Sequence, residues 1–325
     1  MDVVVETPSG AVRGSATEGG GAVFRGIPYA AAPFGPLRLL APVRAGAWPG
    51  VLDATAFGPR PPQPVTPPEK PWSSADGLGC LTVNLHTPDP RRAGLPVMVW
   101  IHGGAYLGGA SDDPGFDGTL VTSAGVVLVT FNYRVGFEGF GYLPELPANR
   151  GLLDQVAALE WVRDNVAAFG GDPGNVTVFG ESAGAGSVVA LATMPRAGGL
   201  FRRGIAQSVP ALFPPPDLAK RVSEQVAAAA GVRPQAAELA ALPPEALVEA
   251  TQAVTAALTG DPDRWGALAY AFTPCFPVVD GEVLPAPPVE ALAEGAAAEV
   301  DLLVGFNRDE YQFFLVARGT LGSFG

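Results

Sequence analysis

Short apolar runs alternate with amphipathic segments over most of the chain. The runs are almost continuously apolar, which is typical of strands buried on both faces of a parallel sheet. Between residues 151 and 169, apolar side chains recur at helical spacing, and Gly170 follows as a stop signal. This order of strands and helices predicts an α/β fold with a mostly parallel sheet and helices on both faces. Strands are predicted at residues 80–86, 96–101, 125–132, 176–179 and 301–305, and a second helix at 183–193.

The flanking regions follow other patterns. Valines at positions 3–5, followed by a Pro-Ser-Gly turn, predict an N-terminal β-hairpin. Residues 59–71 are dense in proline and predict a surface loop. Residues 214–265 have a helical pattern that Pro234 and Pro243 interrupt, which predicts a helical cap at one end of the sheet. Residues 1–325 are expected to form a single domain.

Composition excludes several classes of protein. The 325 residues are 48% hydrophobic, which argues against a disordered chain, and the net charge of −12 disfavours nucleic-acid binding. The apolar runs are far shorter than the ~18 residues that a membrane-spanning helix needs, and the N-terminus lacks signal-peptide features. Two cysteines cannot build a disulfide framework. We therefore expect a cytoplasmic protein without a membrane or nucleic-acid partner.

The strongest chemical signal is the pentapeptide Gly-Glu-Ser-Ala-Gly at residues 180–184. Gly-x-Ser-x-Gly between a strand and a helix predicts a nucleophile elbow, because the tight turn requires small residues on either side of Ser182. The turn is expected to place the Ser182 hydroxyl at a helix N-terminus, where free N–H groups favour an oxyanion. The alternative is a tight turn with an unreactive serine, and the strand and helix around the motif count against it.

A second signal, His102-Gly103-Gly104, follows directly after the predicted strand 96–101. Consecutive glycines let backbone N–H groups approach a ligand without obstruction by side chains. We predict that Gly103 and Gly104, together with Ala183, form an oxyanion hole. The alternative is a simple glycine turn that ends the strand.

Several longer segments carry a resemblance to a known family. They are FRGIPYA at 24–30, NYR at 132–134, GLLDQ at 151–155, FGGDP at 169–173, VTVFGESAG at 176–184, PVVDG at 277–281 and GFNRDE at 305–310. With these motifs the sequence resembles the type-B carboxylesterase (cholinesterase-like) family of α/β-hydrolases over essentially its whole length. The resemblance implies the α/β-hydrolase fold and a serine carboxylic ester hydrolase that acts on small esters through an acyl-serine intermediate, without a metal or organic cofactor.

The resemblance also implies that Glu310 is the triad acid. From the residues alone the choice stays open, because Asp280, Asp301 and Asp309 lie nearby in the sequence. A position just after a strand end favours Glu310, since α/β sheets collect catalytic groups there.

Cysteine chemistry departs from the family pattern. Leu78 and Gly79 stand where the family commonly has acidic-type residues before the strand cysteine, and Pro61 stands where the usual disulfide partner of Cys80 falls. The resemblance therefore implies that Cys80 is a free, buried thiol. Cys275 is expected to serve packing only.

The largest departure concerns histidine. The chain has two histidines, His86 and His102, and none follows Glu310, where the family's catalytic histidine lies. Both are expected to be packing residues. The resemblance implies a chain that is C-terminally truncated, without the catalytic histidine, the final strand and a covering helix, so strand 301–305 is expected to be an open apolar edge.

Two hypotheses remain from the sequence. The first is an esterase whose histidine comes from a complementing C-terminal segment, because serine is a poor nucleophile without a base. The second is a truncated or split-gene product, or a pseudoenzyme, that acts as a non-catalytic binding module. The intact Ser182 and Glu310 favour enzyme ancestry, and the histidine count favours inactivity of the chain alone.

Overall fold

A ten-stranded mixed sheet runs through the molecule. The computed structural model describes residues 1–64, 72–258, 261–271 and 273–310, together with residues 312 and 316. The strands are β1 (Asp2–Thr7), β2 (Gly10–Ala16), β3 (Ala22–Pro28), β4 (Val51–Asp53), β5 (Thr82–Thr87), β6 (Leu95–Ile101), β7 (Val127–Phe131), β8 (Gly171–Glu181), β9 (Arg203–Gln207) and β10 (Asp301–Gly305).

The sheet has an antiparallel half and a parallel half. Its order is β1-β2-β3-β5-β7-β6-β8-β9-β10, with β4 paired to β2. The pairings from β1 to β7 along this path are antiparallel, and those from β7 to β10 are parallel. The carboxyl ends of β6, β8, β9 and β10 therefore meet at one edge of the sheet.

Helices flank the sheet, and several of them fall in the region predicted as a cap. The α-helices are α1 (Thr119–Ser123), α2 (Gly136–Phe140), α3 (Arg150–Asn165), α4 (Ala183–Thr193), α5 (Pro216–Ala229), α6 (Ala236–Ala241), α7 (Pro244–Leu258), α8 (Pro262–Trp265) and α9 (Pro288–Ala293). The predicted helical region 214–265 corresponds to α5 to α8, of which α5 and α7 pack on each other. Helix α7 starts at Pro244, because proline fits the first turn of a helix and not its interior.

Burial explains why the central elements form. Val97, Val99 and Ile101 of β6 are fully buried between its neighbours. Along α3, Leu152 and Leu159 are also fully buried, as the helical spacing predicts. Burial of each such side chain stabilises the folded state by roughly 1.5–3 kcal/mol relative to exposure to water.

Several element boundaries differ from the prediction. Helix α3 ends at Asn165 and is followed by a 3-10 turn, Val166–Phe169, before Gly170 at a φ of 90°. Strand β8 begins five residues earlier than predicted, at Gly171. Strands β3 and β9 were not predicted. They lack a clear apolar pattern, since β3 contains a bulge and β9 has the sequence Arg-Gly-Ile-Ala-Gln. Of the predicted loop 59–71, residues 65–71 lie outside the described residues.

A buried ion pair joins two of the sequence motifs. The Arg134 guanidinium donates from Nε and Nη2 to the two carboxylate oxygens of Asp154, at 2.8 and 2.7 Å. Both side chains are fully buried. The Arg134 backbone N–H also donates to Asp154 at 3.0 Å. This pair fixes the start of α3 against the chain that follows β7.

Within the described residues, no helix combines the length and the apolar character that crossing a membrane requires.

Candidate active site

Ser182 lies in a sharp turn between β8 and α4. Its φ of 55° is left-handed, which is rare for a non-glycine residue and stores backbone strain at the turn. The neighbouring chain leaves no room for side chains, because a Cβ on Gly184 would lie 2.1 Å from the Ile101 carbonyl oxygen. The Ser182 N–H donates to the Gln207 carbonyl at 2.9 Å. Ser182 is therefore held at the carboxyl edge of the sheet, in the geometry predicted for a nucleophile elbow.

The glycine loop after β6 runs beside Ser182. A Cβ on Gly103 would lie 3.5 Å from the Ser182 Cβ, and Gly104 adopts a φ of 111° that favours glycine. Neither glycine N–H donates a hydrogen bond within the part of the chain that the structure describes. Ala183 is the first residue of α4, where backbone N–H groups have no intrahelical acceptor. Gly103 and Ala183 thus lie beside the serine, and Gly104 follows in the same loop.

Glu310 lies beyond the end of β10, on the same edge of the sheet. Its carboxylate accepts from the Asn307 N–H at 3.0 Å. A hydrogen bond from the Ser208 hydroxyl, with the Asn307 bond, lowers the pKa of Glu310. Ser208 directly follows β9, and its N–H donates to the Gly305 carbonyl at 2.7 Å. Glu310 is therefore an ionised carboxylate that follows β10, and β9 lies between β10 and β8, the strand that leads to Ser182.

Glu181, the residue before the serine, is electrostatically coupled to Glu310. Burial raises the pKa of Glu181, and the negative charge of Glu310 raises it further. The site thus contains two carboxylates in different environments, one with a raised and one with a lowered pKa.

An apolar cavity of about 520 Å³ lies directly over Ser182. This volume falls within the roughly 300–1,000 Å³ of small-molecule sites. Beside the serine, its walls include Tyr106, Leu212, Tyr270 and Phe276. The cavity gives an uncharged ligand with an apolar group access to the Ser182 hydroxyl.

His102 packs into the base of the glycine loop. Its ring stacks on Tyr133 with centroids 4.3 Å apart, and its Nδ1 lies 2.9 Å from the Gly103 carbonyl oxygen. Burial lowers the pKa of His102 to about 4. The Tyr133 hydroxyl donates to the His102 carbonyl at 2.8 Å. His102 is therefore a neutral residue that supports the loop, as expected from the sequence.

His86 lies far from Ser182. It is in β5 and pairs with Leu128 of β7. Leu128 and Thr177 of β8 both pair with the same residue of β6, the strand between them. Three strand spacings of about 4.8 Å and five residues along β8 therefore separate the two residues. His86 does not belong to the candidate active site.

Cys80 and Cys275 are free, buried thiols. Burial raises the pKa of each to about 12. Both are therefore protonated and unreactive near neutral pH, which confirms the expectation of packing cysteines.

The geometry defines an α/β protein with a serine elbow, a glycine loop and an acidic residue at strand ends on one edge of the sheet. The model of the carboxylesterase family matches residues 1–320. The para-nitrobenzyl esterase of Bacillus subtilis (strain 168) is 42% identical over 323 residues, which cover 96% of this chain and 64% of that protein. The acetylcholinesterase of Bungarus fasciatus is 34% identical, with 97% of this chain and 54% of that protein covered. The chain belongs to the carboxylesterase family.

Solved structures agree with this assignment. A carboxylesterase of Geobacillus stearothermophilus superposes with a TM-score of 0.86 at 41% identity, over 99% of this chain and 65% of that one. A para-nitrobenzyl esterase structure gives a TM-score of 0.85 at 40% identity. The α/β-hydrolase fold is thereby confirmed. The chain spans less than two thirds of the length of these relatives.

Sequence reasoning missed Ser208 and the cavity walls. Ser208 directly follows a strand on the carboxyl edge, so the strand-end rule could have found it had β9 been predicted. The cavity walls come from residues 105–106, 210–212, 267–271 and 273–276, and no local pattern connects these segments.

Proposed function

We propose that this chain is the nucleophile-bearing part of a serine carboxylesterase that hydrolyses small carboxylic esters. The observation that carries the proposal is the strained Ser182, which faces an apolar cavity beside the unused N–H groups of Gly103 and Gly104. The names of the relatives, para-nitrobenzyl esterase among them, support an ester substrate.

In the proposed reaction, the Ser182 hydroxyl oxygen attacks the ester carbonyl carbon after a base removes its proton. The carbonyl oxygen becomes an anion that accepts hydrogen bonds from the N–H groups of Gly103, Gly104 and Ala183. The bond to the alcohol oxygen then breaks, and the alcohol leaves with the proton. Water attacks acyl-Ser182 in the same way and releases the carboxylic acid.

The proposal assigns Glu310 to orient the base. A catalytic base must be within hydrogen-bond reach of the serine and be oriented by a third group. Glu310 is ionised, follows β10 at the edge of the sheet that carries Ser182, and accepts a hydrogen bond from Ser208 at the end of the intervening strand β9, so it is suited to the third role. His102 is stacked in the loop and His86 is remote. We therefore propose that the histidine comes from polypeptide outside these 325 residues, as a complementing C-terminal segment.

The cavity supports a preference for uncharged esters. Leu212 and Phe276 offer apolar surface, and no basic side chain is among the described residues that line the cavity. An acyl or alcohol group buried there gains about 25 cal/mol per Å² of apolar surface removed from water.

The competing hypothesis is a non-catalytic binding module. The observation that favours it is that the chain has two histidines, of which one is stacked in the glycine loop and the other is remote from Ser182. In that case the cavity binds a ligand or partner without turnover.

The test is complementation in trans. The chain is co-expressed with the part of the Bacillus subtilis para-nitrobenzyl esterase that it does not span, and hydrolysis of p-nitrophenyl acetate by the purified complex is measured. We expect a large gain in rate that Ser182→Ala abolishes and Glu310→Gln strongly reduces. Ser123→Ala, at an exposed serine in α1, is the matched control and should leave the rate unchanged. A folded, soluble complex without Ser182-dependent activity would overturn the esterase proposal and favour the binding module.

A further inference from the structure

A second cavity, of about 540 Å³, lies at the edge of the sheet opposite to Ser182. It is formed by β3, β5 and α1, where Val23 of β3 pairs with His86 of β5. Because β5 is antiparallel to β7, its carboxyl end lies at the edge where β7 begins. The parallel strands that carry the candidate active site end at the other edge. The two cavities are therefore separate.

Arg25 contributes a guanidinium to this cavity. It lies in the bulge of β3, where the register shifts between Phe24 and Ile27. Its guanidinium carbon lies 5.0 Å from the centre of the Phe57 ring. Its Nε is buried and has no hydrogen-bond partner among the described residues. Arg25 nevertheless lines the cavity, so other atoms of its side chain face the cavity.

His86 is the second unused polar group of the cavity. The residue is 8% exposed, and its ring makes no hydrogen bond within the described ranges. Gly118 packs directly on the ring, since a Cβ at that position would lie 2.6 Å from it. Burial, and then the charge of Arg25, lower the pKa of His86, while Asp117 raises it. The neutral ring offers one N–H donor and one acceptor.

Carboxylates also border the cavity. Asp117 accepts from the backbone N–H and the hydroxyl of Thr119, at 3.0 and 2.6 Å, through one oxygen. These bonds lower the pKa of Asp117, so it is ionised. Glu18 is a further, exposed lining residue. A cavity with one guanidinium and two acidic residues disfavours a dianion and suits a ligand that carries a single negative charge together with a donor.

We propose that this cavity binds a small carboxylate, whose anionic group is held by Arg25 and His86. Asp117 accepts a hydrogen bond from an amino or hydroxyl group of the same ligand. An α-amino acid or an α-hydroxy acid has this chemistry. Arg25 supplies a planar guanidinium, whose paired N–H groups match the two oxygens of a carboxylate. His86 supplies one further N–H donor. The site is independent of the proposed esterase activity and lies outside the catalytic machinery.

The experiment uses the fact that the chain has two histidines. The full chain, labelled with ¹³C in its histidine rings, is titrated at pH 7 with acetate, glycine and methylammonium chloride, and the ring signals are followed by NMR. We expect saturable shifts of the His86 signals with acetate and tighter binding of glycine, with no saturable change from methylammonium. The His102 signals should stay in place in every titration.

Variants separate the site from a general salt effect. Arg25→Gln should abolish the saturable shift, and Arg25→Lys, which keeps the charge but not the fork, should weaken binding. Arg91→Gln, at an exposed arginine, is the matched control and should bind as the parent chain does. Shifts that are linear in concentration, that occur equally at His102, or that persist in a folded Arg25→Gln chain would overturn the proposal. Glycine that binds no more tightly than acetate would refute the role of Asp117.

Discussion

Two neutral imidazoles lie at opposite edges of this sheet, and one of them supports the loop beside the nucleophile. His102 is buried against Tyr133, so charging its ring would require desolvating a cation among aromatic and backbone groups. The ring supports the glycine loop because it stays uncharged over the neutral pH range. This arrangement links the packing of one residue to the shape of the candidate oxyanion hole.

The first prediction concerns the pKa of His102. Because burial lowers it from 6.5 to about 4, the unfolded chain binds this proton more readily than the folded chain. The neutral ring therefore contributes stability that is fully present above pH 6.5 and is lost as the pH falls toward 4. The contribution is on the order of 3 kcal/mol. NMR titration of the His102 ring should give a midpoint near pH 4, and a midpoint near 6.5 would contradict the buried position.

A second prediction at this scale concerns Gly184. Alanine normally stabilises a helix relative to glycine by about 1 kcal/mol. Here a Cβ would meet the Ile101 carbonyl oxygen at 2.1 Å, so the backbone of the elbow would have to move. We expect Gly184→Ala to lower the free energy of unfolding by roughly 2 kcal/mol or more, measured by urea denaturation.

Gly46 provides the control for that substitution. It has open space around its Cβ position and no positive φ, so Gly46→Ala should change stability by less than about 0.5 kcal/mol. Equal stability of the two variants would mean that the elbow is looser than the structure shows.

At the scale of elements, prediction from sequence worked where the signal was local. The apolar run that became β7 is buried throughout, and the run that became β6 is buried on the face of Val97, Val99 and Ile101, so their composition reflects their place in the sheet. Strand β9 was missed because its Arg203 and Gln207 are polar, and it forms through pairing with β8 and β10. The contact between Ser208 and Glu310 was missed for the same reason, since it joins the ends of two strands about a hundred residues apart in the chain.

The third prediction concerns the edge strand β10. Among the described residues, β10 pairs only with β9. Leu303 and Val304 are 64% and 56% exposed, and Phe306 beyond them is 83% exposed. An apolar strand edge with unpaired backbone groups promotes association between chains. We expect the chain alone to self-associate in size-exclusion chromatography despite its net charge of −12.

Lysine substitutions test whether the edge is responsible. Val304→Lys should shift the chain toward the monomer, because a charge on an edge strand opposes pairing with another edge. Val289→Lys removes a similarly exposed valine from α9 and should have little effect. A monomeric parent chain with a sharp two-state melt would contradict this prediction.

At the scale of the whole molecule, the candidate site depends on topology that local patterns do not contain. The elbow and the glycine loop were predictable because each is contained in a few adjacent residues. The division of the sheet was not, because the direction of β5 follows from its register with β3 and β7. That same register places His86 at the edge opposite to Ser182, whereas His102 is held in the glycine loop by its stacking on Tyr133.

The last prediction concerns the chemistry of the 325-residue chain alone. Without a base at Ser182, its hydroxyl is a weak nucleophile, so a fluorophosphonate probe should label it slowly and incompletely. The loop and elbow should still retain part of the rate acceleration, since serine hydrolases without their triad keep about 10³–10⁴-fold over water. We therefore expect faint hydrolysis of p-nitrophenyl acetate that Ser182→Ala barely changes. In contrast, Gly104→Val, which fills the glycine loop, should abolish this residual rate. Rapid, stoichiometric labelling of Ser182 would instead show that a base within the chain activates it.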